Sequence, residues 1–181
     1  MSKILKSISE EDFKEKIHIR FNNILNGLDT YSNGLLEYGG EEKSFQEKEE
    51  DFINFFNELF ELEEGDVIVD FYINNLDKES KNRLLENLEG DDKEILKNHI
   101  ESDDINSVFF ECQSKELMSF ITKLNTRELF FCTVYLRKVP MTIWGNYNLS
   151  FPMFFKEKYI LETYKGLAKK HNLDVRGIVL K

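Results

Sequence analysis

Along the first part of the chain apolar residues return every three or four positions, and along the last part they return every two. Phe13, Ile17, Phe21, Ile24 and Leu28 form one helical stripe. Ser9 precedes it as an N-cap, with acids in the first turn, so the pattern predicts an amphipathic helix. Phe45, Phe52, Phe56, Leu59 and Phe60 predict a second helix between Glu42 and Glu63, stopped by Gly65. Between the two, Asn33-Gly34 carries the signature of a type I′ hairpin turn. Residues 67–73 fit a strand with Val67, Val69, Phe71 and Ile73 on one side, and also a helix grouping Val67, Ile68, Phe71 and Tyr72. Their dense β-branching favours the strand. Short helices are expected at 84–88 and 95–100, on either side of Gly90.

After the acidic "ESDDINS" the period changes. A strand at 107–112 leads to a helix with Leu117, Met118, Ile121 and Leu124 on one face. "ELFFCTVYLR" and "MTIWGNY" predict two further strands. "FPMFF" reads as an apolar return into a helix at 157–171, and "LDVRGIVLK" as a closing strand. The order β-α-β-β-α-β is the ferredoxin-like pattern. The expected architecture is therefore α+β: an acidic, mainly helical part, residues 1–105, packed on a ferredoxin-like part, residues 106–181, as one compact body.

Alternation sorts the side chains of those last strands into two sets. Val108, Phe110, Cys112, Phe130, Cys132, Val134, Leu136, Met141, Ile143, Val175 and Val179 are all apolar and belong beneath the helices. The opposite set mixes aromatic and polar groups. Phe109, Glu111, Phe131, Tyr135, Arg137, Trp144, Asn146 and Arg176 are its candidate binding residues, and Trp144 is the only tryptophan in the chain. The sequence leaves open whether this face is covered. Phe45, Phe52, Phe56 and Phe60 of the acidic part are the expected cover, which would bury Trp144 with an acceptor for its indole N–H.

Charge sharpens this picture. Through Ile105 there are 12 Lys and Arg against 28 Asp and Glu, a net of −16; from Asn106 onward there are 12 against 6, a net of +6. Either each part meets its own partner or the two face each other. Sixteen Phe against a single Ala, and 19 Lys against 5 Arg, have the character of an AT-rich coding sequence, as in a low-GC bacterium. Cys112 and Cys132 lack Cys-x-x-Cys spacing and read as buried free thiols of a reducing compartment. No signal-peptide pattern opens the sequence, and no stretch approaches the ~20 apolar residues of a bilayer span. A cytoplasmic protein is expected.

Candidate chemistry is sparse. His18, His99 and His171 are scattered, so no metal site and no cofactor are expected. Phosphate-binding glycine loops and nucleophile motifs are missing. Glu111 is the most enzyme-like residue, a carboxylate among aromatics, but an ion pair with Arg137 or Arg176 explains it more simply. The leading expectation is a non-catalytic protein-binding module whose acidic surface meets a basic protein, of which a toxin-neutralising immunity protein is one version. Two alternatives stand beside it. Aromatics with arginine on an open sheet face suggest single-stranded nucleic-acid binding, against which the net charge of −10 counts. A small-molecule or enzyme site between the helical part and the sheet, with Glu111 and Arg137 as its polar groups, is the other.

Overall fold

The computed structural model describes residues 4–102 and 107–181; the expected boundary between 105 and 106 lies outside them. Seven α-helices and eight strands are found among the described residues. The strands are β1 (Lys6–Ile8), β2 (Ser32–Tyr38), β3 (Val67–Asp70), β4 (Phe109–Cys112), β5 (Val134–Leu136), β6 (Met141–Ile143), β7 (Ser150–Phe155) and β8 (Leu173–Val179). They form a single sheet in the order β1-β4-β3-β5-β6-β7-β2-β8, with every pairing antiparallel.

The mixed α and β content is as expected, but the ferredoxin-like topology is not. That topology places the first and last strands of its motif side by side, whereas β4 and β8 stand far apart in this sheet. The reason is that segments of the acidic part insert as strands. β3 lies between β4 and β5, and β2 lies between β7 and β8. "FPMFF" is not a return into a helix but strand β7. Pro152 still takes part in the ladder through its carbonyl, which accepts from Trp144 N–H at 2.8 Å. Its missing N–H faces the Trp144 carbonyl, so only the reciprocal bond of that one pair is lost, just past the end of β6. Asn33-Gly34 is no turn either, since both residues lie inside β2. A Cβ at position 34 would come within 2.9 Å of Val175 Cγ1, so glycine lets the neighbouring strand approach.

The first predicted helix breaks in two. α1 (Glu10–Lys16) starts at the expected Ser9 cap, and α2 (Ile24–Thr30) starts at Asn23, whose side chain accepts from Asn26 N–H. Between them the chain is irregular, with bends at 18–19 and 22–23, and Ile17 and Ile19 are both buried, an alternation of period two inside what looked like a helical stripe. α3 (Phe45–Leu62) has a complete capping box, with Ser44 and Glu47 bonding each other's backbone. α6 (Lys115–Thr126) and α7 (Lys158–Lys170) fall where the periodicity puts them, whereas α4 (Lys78–Glu86) begins six residues before the expected 84–88, at the Asp77 cap, and α5 (Gly90–Glu101) begins at Gly90 itself.

One large core gathers Phe52, Phe55 and Phe56 of α3, Leu117 and Ile121 of α6 and Ile160 and Tyr164 of α7 over one face of the sheet. Phe110, Cys112, Val134, Leu136, Met141, Ile143 and Val175 belong to it, as expected. The expected cover of the other face is corrected here: the α3 phenylalanines lie in the same core as α6 and α7, and Phe45 is exposed. What crosses the Trp144 side is α1 and the irregular segment after it. Among the described residues no helix is long and apolar enough to cross a membrane.

The charged parts face each other. Six of the twelve basic residues after Asn106 pair with acids of the first part: Lys115 with Glu61, Lys123 with Asp92, Arg127 with Glu49, Arg137 with Asp66, Lys138 with Glu64 and Lys170 with Glu58. Much of the acidity of α3 therefore answers the molecule's own cations.

Candidate functional site: an aromatic cleft on the Trp144 side

Where α1 and residues 17–22 cross the sheet they cover it only in part. Phe13 of α1 stacks on Phe109 with ring centroids 3.7 Å apart and meets Tyr135 edge-on at 4.9 Å. With Ile8, Ile17 and Ile68 these rings make a small second core. Further along, Thr142 Oγ1 donates to the carbonyl of Ile19 at 2.5 Å, which ties the irregular segment to β6. Phe21 then stacks on Trp144 at 5.5 Å and meets Phe154 edge-on at 4.5 Å.

Two chambers remain open beside these contacts. The outer one, about 530 Å³, is lined by Glu10, Lys14, Arg20 and Asn26 together with Phe13 and Phe109. The inner one, about 330 Å³, reaches Asp70, Phe131, Thr133 and Trp144. Phe21, Asn22, Tyr72 and Tyr135 line both, so the chambers adjoin.

Asp70 is the chemical centre of the inner chamber. It is only 6% exposed. Its Oδ1 accepts from Thr133 N–H at 2.6 Å and its Oδ2 from Tyr135 Oη at 3.2 Å. Burial pushes its carboxyl up to about 6, while the Thr133 and Tyr135 donors pull it the other way. Burial raises the Tyr135 phenol well above its ordinary value and Asp70 adds to this, so the hydroxyl stays protonated and donates. Tyr72 is raised by burial and by the charges of Asp70 and Glu10, and Cys132 by burial. Asp70 is thus the one group lining this chamber that titrates near neutrality. A buried carboxylate in a cavity lined by aromatic residues can hold a ligand.

The loop before β5 is held by Asn125, whose Nδ2 donates to the Cys132 carbonyl at 3.0 Å while its Oδ1 accepts the Cys132 N–H at 2.8 Å. That reciprocal pair presents Phe131 and Thr133 to the chamber, although residues 129–133 are not the regular strand their composition suggests.

The expected site residues divide. Trp144, Tyr135 and Phe131 line the inner chamber, and Phe109 and Tyr135 the outer one. Glu111 is bound to Lys6 at 2.8 Å and Lys16 at 3.0 Å, not to Arg137 or Arg176, and these partners hold its carboxyl below the ordinary range. Arg137 pairs with Asp66 at 2.6 Å at the end of β5, and Arg176 lies 3.6 Å from Asp174 on the edge strand. Asn146 donates to the Ser150 carbonyl at 3.0 Å and serves the β6–β7 turn. None of these four lines either chamber.

Asp70, Tyr72, Phe21 and Asn22 were missed by the sequence reading. A signal existed: if Val67 and Val69 face the core, alternation sends Ile68, Asp70 and Tyr72 to the other side. Only the insertion of β3 beside β5 makes that side the Trp144 side. Among the described residues no group of three or more His, Cys, Asp or Glu is placed to hold a metal ion. Compared with protein families, with curated proteins and with solved structures, the chain matches none.

Proposed function

We propose that this chain is a non-catalytic protein-binding module whose site is the aromatic cleft beneath α1 and whose partner is a basic protein. The observation that carries the reading is the inner chamber, a cavity walled by aromatic rings with Asp70 as its one group titrating near neutrality. Such a site can grip a ligand. The partner's sign follows from charge: the net is −10, and half of the basic side chains of the second part are already engaged by internal acids. Surface acidity of this kind speeds encounter with a cationic partner. A toxin-neutralising protein with a basic target would be one instance, working in the cytoplasm, where Cys112 and Cys132 stay reduced. Single-stranded nucleic acid is a poorer fit, because the net charge of −10 opposes contact with phosphate and Phe13 and Phe21 already cover one face each of Phe109 and Trp144.

Capture from the native host at low salt, run in parallel with the wild type and a Tyr72→Ala variant, tests this. Recovery of one basic protein that the variant loses is the expected result. Recovery of nothing basic, or capture indifferent to Tyr72, counts against the reading.

A further inference from the structure

The inner chamber combines features that narrow what it takes. Asp70 accepts from the Thr133 N–H at Oδ1 and from Tyr135 Oη at Oδ2, with the Thr133 side chain a further neutral donor, and the four acceptor sites of a carboxylate leave room for a donor of the ligand. No lysine or arginine is among the residues that line the chamber; Lys14 and Arg20 belong to the outer one. Five of the lining residues, Phe21, Tyr72, Phe131, Tyr135 and Trp144, are aromatic. Ring faces attract cations, most strongly when water is excluded. A buried carboxylate held only by neutral donors leaves its charge unbalanced, and a cation entering the chamber balances it.

We infer that the inner chamber is a pocket for a guanidinium group, carried by an arginine side chain of the partner. This rests on the protein-binding reading and specifies its central contact. Between the two cations a protein can offer, the guanidinium fits better. It is planar and weakly hydrated, it stacks on aromatic faces, and its fork of N–H donors meets both oxygens of a carboxylate, whereas an ammonium is a compact, strongly hydrated point charge. The surplus negative charge of the molecule favours the same ligand.

Three peptides test the assignment: acetyl-Gly-Arg-Gly-amide, its lysine counterpart, and its citrulline counterpart, which keeps the shape of arginine without the charge. Each is titrated at low salt against the intact protein, with Trp144 emission and calorimetry as readouts. Saturable binding of the arginine peptide is expected, about tenfold tighter than citrulline, with lysine between. In Asp70→Asn that preference should fall to about one. Phe131→Leu keeps the carboxylate and should weaken the arginine peptide by about threefold, which serves if Asp70→Asn fails to fold by circular dichroism. Citrulline binding as tightly as arginine overturns the guanidinium pocket and leaves the cleft as a binding site. Absence of saturable binding by all three peptides overturns the pocket, while the protein-binding reading is decided separately by Tyr72-dependent capture.

Discussion

The ring of Phe21 lies on the indole of Trp144, with centroids 5.5 Å apart and planes within 21° of parallel. This contact decides how the Trp144 face is used, because the chain covers it with an irregular segment rather than a helix and leaves the neighbouring cavity open. Trp144 ends up half-buried. Replacing Phe21 with Ala should uncover the indole, shift its emission to the red and raise its acrylamide quenching constant above that of the wild type. The lost packing should cost about 2 kcal/mol in urea unfolding, less than for a fully buried phenylalanine. Unchanged quenching would mean that Phe21 does not shield Trp144.

Two buried groups give the stability an unusual pH dependence. Asp70 is held up to about 6 and favours its proton in the folded state, so its contribution falls as pH rises from 3.8 to about 6. His99 sits 3% exposed between Phe71 and Phe110, neither of its ring nitrogens has a hydrogen-bond partner, and burial lowers it to about 4. The unfolded chain takes up that proton first, so the His99 contribution falls as pH drops from 6.5 to about 4. Each amounts to about 3 kcal/mol, and between pH 4 and 6 they oppose. Melting temperatures across this window should therefore slope more steeply downward on acidification in Asp70→Asn than in the wild type. In His99→Leu the slope should tilt the other way. Parallel curves for all three proteins would contradict the assignment.

Glu63 caps a turn from a distance. Its carboxylate, fully buried, accepts from the backbone N–H groups of Arg137 at 2.8 Å, Lys138 at 2.7 Å and Val139 at 3.1 Å. Those donors belong to the β5–β6 connection and have no other strand to meet. Glu63→Ala strips them all at once, with an expected loss of about 4 kcal/mol by denaturant titration. A loss below about 1 kcal/mol would show that water or local shifts replace the carboxylate.

Asn125 plays a comparable part for the cleft. Its amide stands in for a strand neighbour at Cys132, and Asn125→Ala leaves a donor and an acceptor of the backbone unpaired in a buried place. About 3 kcal/mol of stability should go. Since Phe131 and Thr133 flank Cys132, Trp144 emission should change in the folded variant as well.

The helices were largely legible because their signals are local. The Ser44 capping box, the stripe of α3 and the faces of α6 and α7 each lie within a few turns of chain. The failures share a cause. β7 is buried on both sides, so Phe151 through Phe155 show no alternation, and Pro152 argues against a strand. β2 opens with Ser32, Asn33 and Gly34, turn-forming residues that are buried because the neighbouring strands approach closely. Ile17 and Ile19 fit a helical stripe and an extended run almost equally, and the side-chain cap of Asn23 decides where the next helix begins.

By itself, then, the sequence determined which residues alternate and which recur: Phe110, Val134 and Ile143 toward the helices, Phe109, Tyr135 and Trp144 away from them. It also determined the acidic and basic parts that come to neutralise each other. Only the tertiary structure decided which strands stand side by side. Asp70 and Tyr135 are 65 residues apart in the chain, and nothing in either segment names the other. Periodicity records what one element hides from water, whereas strand pairing is a choice among distant edges that competes across the whole molecule. The carboxylate of β3 therefore reached the aromatic face through a pairing that no local pattern encodes.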